Sequence, residues 1–287
     1  MQETAPTAYA LVHHPVTSAV HKCIVTTGGR LEVPIDAIRT FNRFELKYIV
    51  TTRDVDRLRG EIAAYMVRDP YASDDGRYTL TSLYYDTPGR DCFWAKLDGL
   101  RFRRKLRIRH YEHQAALTDD VPVFVEIKQR VDRVTQKRRA VLTYADAVSL
   151  CDESTIPDHE ARDEAVVHEA YSLVVRHNLE PACITTYQRE PWMGGEYDPG
   201  LRLTIDFDLR YRTHDLALDS KHRGRHMFPM QYAVLEIKAN DRVPYWLTHL
   251  VARNNLHLTR MSKYCSSLDA AGYGQHDTQS QSVLVAD

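Results

Sequence analysis

One segment of the sequence has a cation at every second position, and this pattern limits the possible folds more than any other feature. Between residues 100 and 111, the alternating basic positions are Arg101, Arg103, Lys105, Arg107 and Arg109. Side chains two residues apart share one face of a β-strand. The positions between them include Phe102, Leu106 and Ile108, which we expect in the core. The segment is therefore predicted to be a strand with one strongly basic face.

Similar alternation of charged and apolar residues recurs along the chain. It predicts strands over 42–50, 78–86, 100–111, 122–131, 134–143, 183–190, 201–210 and 230–239. Helical spacing is less common and predicts helices over 52–66, 88–97, 163–178, 244–254 and 262–269. Thr52 is the expected N-cap of the first helix. Eight strands with a few interspersed helices indicate an antiparallel α+β domain, either a barrel or a strongly curved sheet.

The basic strand faces need a compensating environment. Strands 100–111, 122–131 and 134–143 are close in sequence, so about ten cations would share one surface if these strands pair. A sheet face in bulk water would explain any one of them, but like charges on paired strands are destabilising. A dry interior is excluded, because each unpaired buried ion costs several kcal/mol. The surface must face bulk water, or a wet tunnel that binds a polyanion.

A smaller set of carboxylates lies on the same strand faces: Glu45, Glu126, Asp206, Asp208 and Glu236. Carboxylate and phosphate oxygens together bind hard divalent ions, while Arg and Lys neutralise the remaining phosphate charge. This combination predicts a metal–phosphate site. A separate acidic segment, 144–169, is expected to be a solvated loop followed by an amphipathic helix.

Composition narrows the class of protein further. The net charge of the 287 residues is −1, which argues against a uniformly basic nucleic-acid binder. Five cysteines without a CxxC pair fit reduced thiols in the cytoplasm. There is neither a signal-peptide pattern nor an apolar run of about 20 residues. We expect a loosely ordered N-terminal extension (1–38), one domain (39–270) and a flexible C-terminal tail (271–287).

The sequence resembles the VTC domain family of the triphosphate tunnel metalloenzyme, or CYTH-like, superfamily. Nine segments carry the resemblance, in the family's order: RFELKY (43–48), LYYDTP (83–88), KLRIRHY (105–111), VFVEIKQR (123–130), TQKRR (135–139), YQRE (187–190), LRLTIDFDL (201–209), VLEIK (234–238) and MSKY (261–264). Together they cover about residues 40–268. The resemblance implies an α+β fold in which eight antiparallel strands form a β tunnel, or barrel, with a basic interior and flanking helices.

The resemblance also implies the site residues. Phosphate binding falls to Lys47, Arg107, Arg109, Lys128, Lys137, Arg139, Arg189, Arg202, Lys238 and Lys263. A catalytic role is implied for Lys47, Arg107, Arg109, Lys128, Arg189, Arg202 and Lys263. The implied ligands of a divalent metal, Mn²⁺ or Mg²⁺, are Glu236, Glu45 and Glu126. The first strand departs from the wider superfamily, which often reads ExExK there, because Arg43 precedes Glu45 and Lys47.

The activity implied by the family is polyphosphate synthesis, in which the γ-phosphoryl of ATP is transferred to a growing chain. One alternative is hydrolysis of tripolyphosphate or a nucleoside triphosphate in the same tunnel, although the first-strand departure weakens it. Another is a non-catalytic module that binds polyphosphate or an inositol polyphosphate. Nucleic-acid binding on the basic strands is disfavoured, because Phe102 lies opposite the cations. Any coupling to transport would need a separate membrane partner.

Overall fold

A computed structural model describes residues 44–275, apart from residues 71, 73–75, 113–116, 133, 197 and 241. These residues all fall in one of the two units of the chain, Asp36–Asp287, and the other unit, Met1–Ile35, lies outside them. The expected extension 1–38 and residues 276–287 of the expected tail also lie outside the described residues. The three-part division of the chain therefore stays a prediction.

Ten strands form a single sheet. They are β1 (Phe44–Thr51), β2 (Met66–Arg68), β3 (Tyr78–Asp86), β4 (Phe102–Tyr111), β5 (Pro122–Val131), β6 (Val134–Thr143), β7 (Glu180–Gly194), β8 (Arg202–Arg212), β9 (Arg225–His226) and β10 (Tyr232–Ala239). Eight of them follow the antiparallel order β1-β10-β8-β7-β3-β4-β5-β6, while β2 pairs with β7 and β9 with β8.

Six α-helices flank the sheet: α1 (Thr52–Ile62), α2 (Asp91–Leu97), α3 (Tyr144–Cys151), α4 (Glu164–His177), α5 (Tyr245–Arg253) and α6 (Lys263–Ala270). A 3-10 helix follows at Tyr273–Gln275. The predicted antiparallel α+β class is confirmed. Within the described residues, no helix is both long and apolar enough to cross a membrane.

The observed bounds of the elements agree with the predicted bounds at some positions and differ at others. The bounds of β3, β5 and β6 match the prediction, whereas β2 and β9 are too short to produce a periodic pattern. The expected N-cap at Thr52 is wrong by one residue. The cap is Thr51, whose hydroxyl accepts a hydrogen bond from the Asp54 amide at 3.2 Å and donates to the Asp54 carboxylate at 2.6 Å.

The expected solvated acidic loop is observed between α3 and α4, where residues 152–162 are mostly exposed, but the segment 144–169 does not begin as a loop. This stretch begins with α3, which buries Tyr144, Ala147, Leu150 and Cys151. Asp163 follows with 5% of its surface exposed, and its carboxylate accepts a hydrogen bond from the Val141 amide at 3.2 Å. The apolar residues of α3 lie among acidic residues, which concealed them in the sequence. They pack against the sheet. The predicted amphipathic helix is α4.

The outer face of the sheet packs against helices in two apolar cores. Residues of β3 to β6 form one core with α3 and α4, and residues of β1, β8 and β10 form the other with α1 and α5. A third cluster joins α2 and α6 to side chains of β3, β7 and β8. Because the outer face is apolar, strand alternation places the charged residues on the inner face.

The sheet curls around this inner face without closing its hydrogen-bond ladder. Among the described residues, β1 and β6 are the first and last strands of the eight-strand order and do not pair with each other. Glu45 of β1 nevertheless receives a hydrogen bond from Lys128 Nζ of β5 at 3.0 Å, so opposite ends of the sheet approach each other. The segment after α5 lies along β1, where the Thr259 amide donates to the Lys47 carbonyl at 2.8 Å. This curvature fits the expected tunnel.

Asp86, at the end of β3, connects the sheet to two helices. Its buried carboxylate accepts hydrogen bonds from the amides of Thr87 (2.8 Å), Cys92 (2.9 Å) and Phe93 (3.2 Å). The Tyr264 hydroxyl also donates to it. One side chain therefore fixes the start of α2 and the position of α6.

We expect Asp86→Ala to lower the free energy of unfolding by about 3 kcal/mol, because the buried amides of α2 lose their acceptor. Asp91→Ala, at an exposed position in the first turn of α2, is the control and should change it by less than about 0.5 kcal/mol. Urea unfolding measures both. Equal stability of the two variants would show that Asp86 does not hold these elements together.

Candidate functional site

The strand register gathers the charged positions of the inner face. Arg107 pairs with Tyr84 of β3 on one side and with Glu126 of β5 on the other, and Glu126 also pairs with Arg139 of β6. Their side chains share a face because paired residues of neighbouring strands point the same way. The core position expected for Phe102 is wrong, since 50% of its surface is exposed.

Glu126 is the centre of the first group of charges. It accepts hydrogen bonds from Arg107 Nε at 2.8 Å and from Lys137 Nζ at 2.9 Å. Arg139 Nε lies 3.7 Å away and Arg109 Nη1 lies 3.9 Å away. We term these five residues the Glu126 cluster. Burial opposes ionisation of Glu126, but Lys137 and Arg107 outweigh it and hold its pKa well below the usual range. Burial also lowers the pKa of Lys137 although Glu126 opposes this, so the arginines are the lasting charge partners of Glu126.

Asp206 is the centre of a second group. Its fully buried carboxylate accepts two hydrogen bonds from Arg189, at 2.7 and 2.8 Å, and lies 2.6 Å from Lys263 Nζ. Lys263 belongs to α6, so the helix supplies a cation to the sheet's inner face. Burial opposes ionisation here too, but Arg189 and Lys263 lower the pKa of Asp206.

Two further carboxyl groups meet beside Asp206. Glu236 and Glu45 lie close enough for their charges to interact, and Arg189 Nη2 lies 3.8 Å from Glu236. Lys238 Nζ lies 2.7 Å from Glu236, and Lys47 Nζ lies 3.4 Å from Glu45. The Asp206–Glu236 cluster is defined as Asp206, Glu236, Glu45, Arg189, Lys263, Lys238, Lys47 and Lys128.

The pair formed by Glu45 and Glu236 fits a divalent cation. Burial opposes ionisation of Glu236, but Lys238 and Lys47 outweigh it and hold its pKa well below the usual range. Two ionised carboxylates that face each other repel, and a divalent cation between them would remove that repulsion. Mg²⁺ in phosphate sites is commonly held by one or two carboxylates plus substrate oxygens. In the described part of the chain, no group of three or more His, Cys, Asp or Glu is arranged for a metal.

Two tyrosines connect the clusters. Arg107 Nη1 donates to the Tyr84 hydroxyl at 3.0 Å, and Arg109 Nη2 donates to the Tyr187 hydroxyl at 3.2 Å. Lys263 Nζ lies 4.5 Å from the centre of the Tyr187 ring. Burial would raise the pKa of Tyr84, but the charges of Arg107 and Arg109 outweigh it and lower that pKa to about 8.

Positive charge is in excess on this face. The two clusters contain nine cations and four carboxylates. The four carboxylates and nine cations are buried or half-buried, and the most buried cations are Arg109 with 6% and Arg189 with 9% of its surface exposed. Ion pairs therefore make the buried interior possible, which the wet-tunnel expectation did not anticipate. An interior with this excess is suited to bind a polyanion.

The structure brings together twelve of the thirteen predicted site residues in these two clusters. Arg202 shares the β8 face of Asp206 and pairs with Lys238 in the strand register, and its guanidinium is 3.2 Å from the Asp69 carboxylate. Asp206 was recognised in the sequence as a strand carboxylate but was not assigned to the site. Its position between Ile205 and Phe207, on the charged face of β8, was the available signal. The sequence offered Tyr84, Tyr85 and Tyr111 as residues that could line the tunnel without distinguishing them. The structure places Tyr84 against Arg107, whereas the Tyr85 hydroxyl points outward and donates to Asp152.

Removing the Glu126 carboxylate should destabilise the fold. Because the folded pKa of Glu126 lies below 4.5, its stabilisation is complete above pH 4.5 and is lost as the pH falls below that value. Glu126→Gln should therefore lower the free energy of unfolding at pH 7 by about 3–5 kcal/mol, and this difference should shrink under acid conditions.

Urea unfolding between pH 7 and pH 3 tests this prediction. The matched control is Glu169→Gln, which breaks a more exposed ion pair with Arg138 on the outer face and should cost at most about 1 kcal/mol. A Glu126→Gln protein as stable as wild type at pH 7 would refute the central position of this carboxylate.

Tyr84 should titrate separately from the other tyrosines. With its pKa near 8, ultraviolet absorbance should show a tyrosinate step around pH 8 in the wild type, and Tyr84→Phe should abolish it. Tyr78→Phe is the matched control, because burial raises the pKa of Tyr78. Persistence of the step in Tyr84→Phe would contradict the charge balance described here.

Comparisons with known proteins identify a family for the chain. The VTC domain family matches residues 42–271. No curated protein matches the sequence. Similar solved structures include a candidate adenylate cyclase of Bacillus halodurans, at 12% identity and TM-score 0.47, covering 79% of this chain and 95% of that one.

Two other solved structures are also similar to the chain. One is a protein of Pyrococcus horikoshii, at 14% identity and TM-score 0.38, with coverage of 79% and 99% of the two chains. The other is a candidate adenylyl cyclase of Hippeastrum whose description reports a dominant triphosphatase activity. It has 12% identity and TM-score 0.42, with coverage of 79% and 95%. The family match spans the strands and helices that build both clusters, and the chain belongs to the VTC domain family.

Proposed function

We propose that this protein is a polyphosphate polymerase that transfers the γ-phosphoryl of ATP to a growing polyphosphate chain. The observation that carries the proposal is the excess of nine cations over four carboxylates on one concave face. Membership of the VTC domain family supports an enzyme that acts on triphosphate-type substrates. The polymerase activity itself is our inference.

Binding is the first contribution of the inner face. Arginine is suited to phosphate because its planar guanidinium donates two parallel hydrogen bonds. Arg107, Arg109 and Arg189 are held in place by Glu126, Tyr187 and Asp206, so little side-chain entropy is lost when they bind an anion. Burial strengthens their interaction with phosphate oxygens.

We assign the divalent metal to Glu45 and Glu236. Glu126, the third expected ligand, is engaged with four cations and is better suited to position them. A bound Mg²⁺ or Mn²⁺ would supply charge neutralisation at phosphate oxygens. Lys47 and Lys238 adjoin the same carboxylates and would contact the same phosphates.

Transfer requires positioning more than covalent chemistry. A terminal oxygen of the acceptor chain forms a bond to the γ-phosphorus, and the bond from that phosphorus to the β–γ bridging oxygen breaks. ADP leaves with the bridging oxygen. The cations of both clusters neutralise the transferred group and the leaving group. Below pH 8, Tyr84 is a neutral phenol that can donate to a phosphate oxygen.

The lowered pKa values of the four carboxylates favour an anionic acceptor over water as the group that attacks the γ-phosphorus. A general base that activates water works best with a pKa near the operating pH. Nearby cations lower the pKa of each of the four carboxylates in the clusters although burial opposes this. They are therefore weak bases, whereas the terminal phosphate of polyphosphate is an anion that needs no base. This supports the polymerase over a hydrolase.

The proposed substrates are ATP as donor and polyphosphate as acceptor, with another triphosphate as an alternative donor. The cytoplasmic location and a separate membrane partner remain predictions. The four cysteines among the described residues are free thiols, which is compatible with that location.

Incubation of the purified protein with ATP and Mn²⁺ or Mg²⁺, followed by gel sizing of products, tests the proposal. We expect ADP and long polyphosphate chains from the wild type. Glu236→Gln and Arg109→Gln should each lower the rate about 100-fold or more, because each removes a group that neutralises transition-state charge. Arg138→Gln, on the outer face of β6, is the control and should retain the rate.

The products also separate the alternatives. Release of orthophosphate without chains would replace the polymerase by a hydrolase. Tight binding of tripolyphosphate without turnover would identify a non-catalytic module.

A further inference from the structure

The open end of the β4–β5 hairpin carries a second group of cations, outside the two clusters. Its members are Lys96 of α2, Arg103 and Lys105 of β4, and Arg130 of β5, and we term them the hairpin-end cluster. Arg103 pairs directly with Arg130 across the two strands, and Lys105 pairs with Lys128. Arg103 and Lys105 share the strand face of Arg107, so the hairpin-end cluster continues the inner face outward.

These cations have neutral hydrogen-bond acceptors. Arg103 donates to the Leu100 carbonyl, and Arg130 Nε donates to the Asp132 carbonyl at 2.8 Å. Lys105 Nζ lies 3.3 Å from both Ser262 Oγ and Cys265 Sγ. Within the described ranges, no carboxylate forms an ion pair with any member of the hairpin-end cluster.

Mutual repulsion within this group is therefore not balanced. Burial and the charge of Arg103 lower the pKa of Lys96, and burial and the charge of Arg130 lower the pKa of Arg103. Among the arginines of β4, Arg107 differs from Arg103, because Glu126 raises the pKa of Arg107 although burial opposes this. Like charges directly opposite each other on paired strands destabilise a sheet, and a bound anion would remove that cost.

We infer that the hairpin-end cluster binds the distal phosphates of a linear polyphosphate whose other end lies at the Glu126 cluster. This inference rests on the proposed function. Arg103 and Arg109 are six residues apart on one strand, a separation of about 20 Å. A triphosphate bound beside Arg109 is too short to reach Arg103. The hairpin-end cluster therefore distinguishes a long chain from a triphosphate and gives the growing chain a direction along β4.

Calorimetry with tripolyphosphate and with long-chain polyphosphate tests this inference in the full-length protein. The double variant Arg103→Gln/Arg130→Gln should weaken binding of the long chain by about fivefold or more and leave tripolyphosphate binding unchanged. The control Arg53→Gln/Arg104→Gln removes the same charge from an exposed helix position and from the opposite face of β4. It should change neither affinity.

A thermal melt of the unliganded double variant provides an independent measurement. Because the substitutions remove repulsion, its Tm should rise by about 1–2 °C at low salt. An unchanged affinity for long chains, equal losses for both ligands, or a lower Tm would overturn the inference. A wild-type protein that binds neither ligand would instead overturn the proposed function.

Discussion

The interaction on which this structure depends is the repulsion between cations on the inner face, balanced by four buried carboxylates. A curved sheet with an apolar outer face must turn its charged residues inward, and nine of those in the two clusters are Lys or Arg. Glu126 and Asp206 each hold two or more cations, so the face stays folded while positive charge remains in excess. Stability and anion binding therefore depend on the same contacts.

This balance also determines the chemistry available. The cations that stabilise the carboxylates lower their pKa values, which makes them poor bases for activating water. Arg107 and Arg109 also lower the pKa of Tyr84, and the carboxylates of Glu126 and Asp206 fix Arg107 and Arg189 before any ligand binds. A site of this kind stabilises phosphate charge well and abstracts protons weakly. That combination suits phosphoryl transfer between two anions.

The sequence predicted what depends on local alternation, and the structure supplied what depends on tertiary contacts. The faces of β4, β5 and β6 follow from period-two patterns, and the family resemblance identified twelve residues that meet in the two clusters. The contact between Lys128 and Glu45 depends on sheet curvature, which no local pattern specifies. Phe102 alternates like a core residue but is half exposed, with the Arg104 guanidinium over its ring. The helix α3 was not predicted, because its apolar residues lie in a segment that was interpreted from its many acidic residues.

The central claim is that the concave cationic face holds a chain of phosphates. A crystal structure of the protein with tripolyphosphate and Mn²⁺ tests it most directly. The account predicts phosphate density among Arg107, Arg109 and Arg189, with the metal against Glu45 and Glu236. Phosphate density confined to the outer face, with the inner ion pairs unchanged, would contradict it.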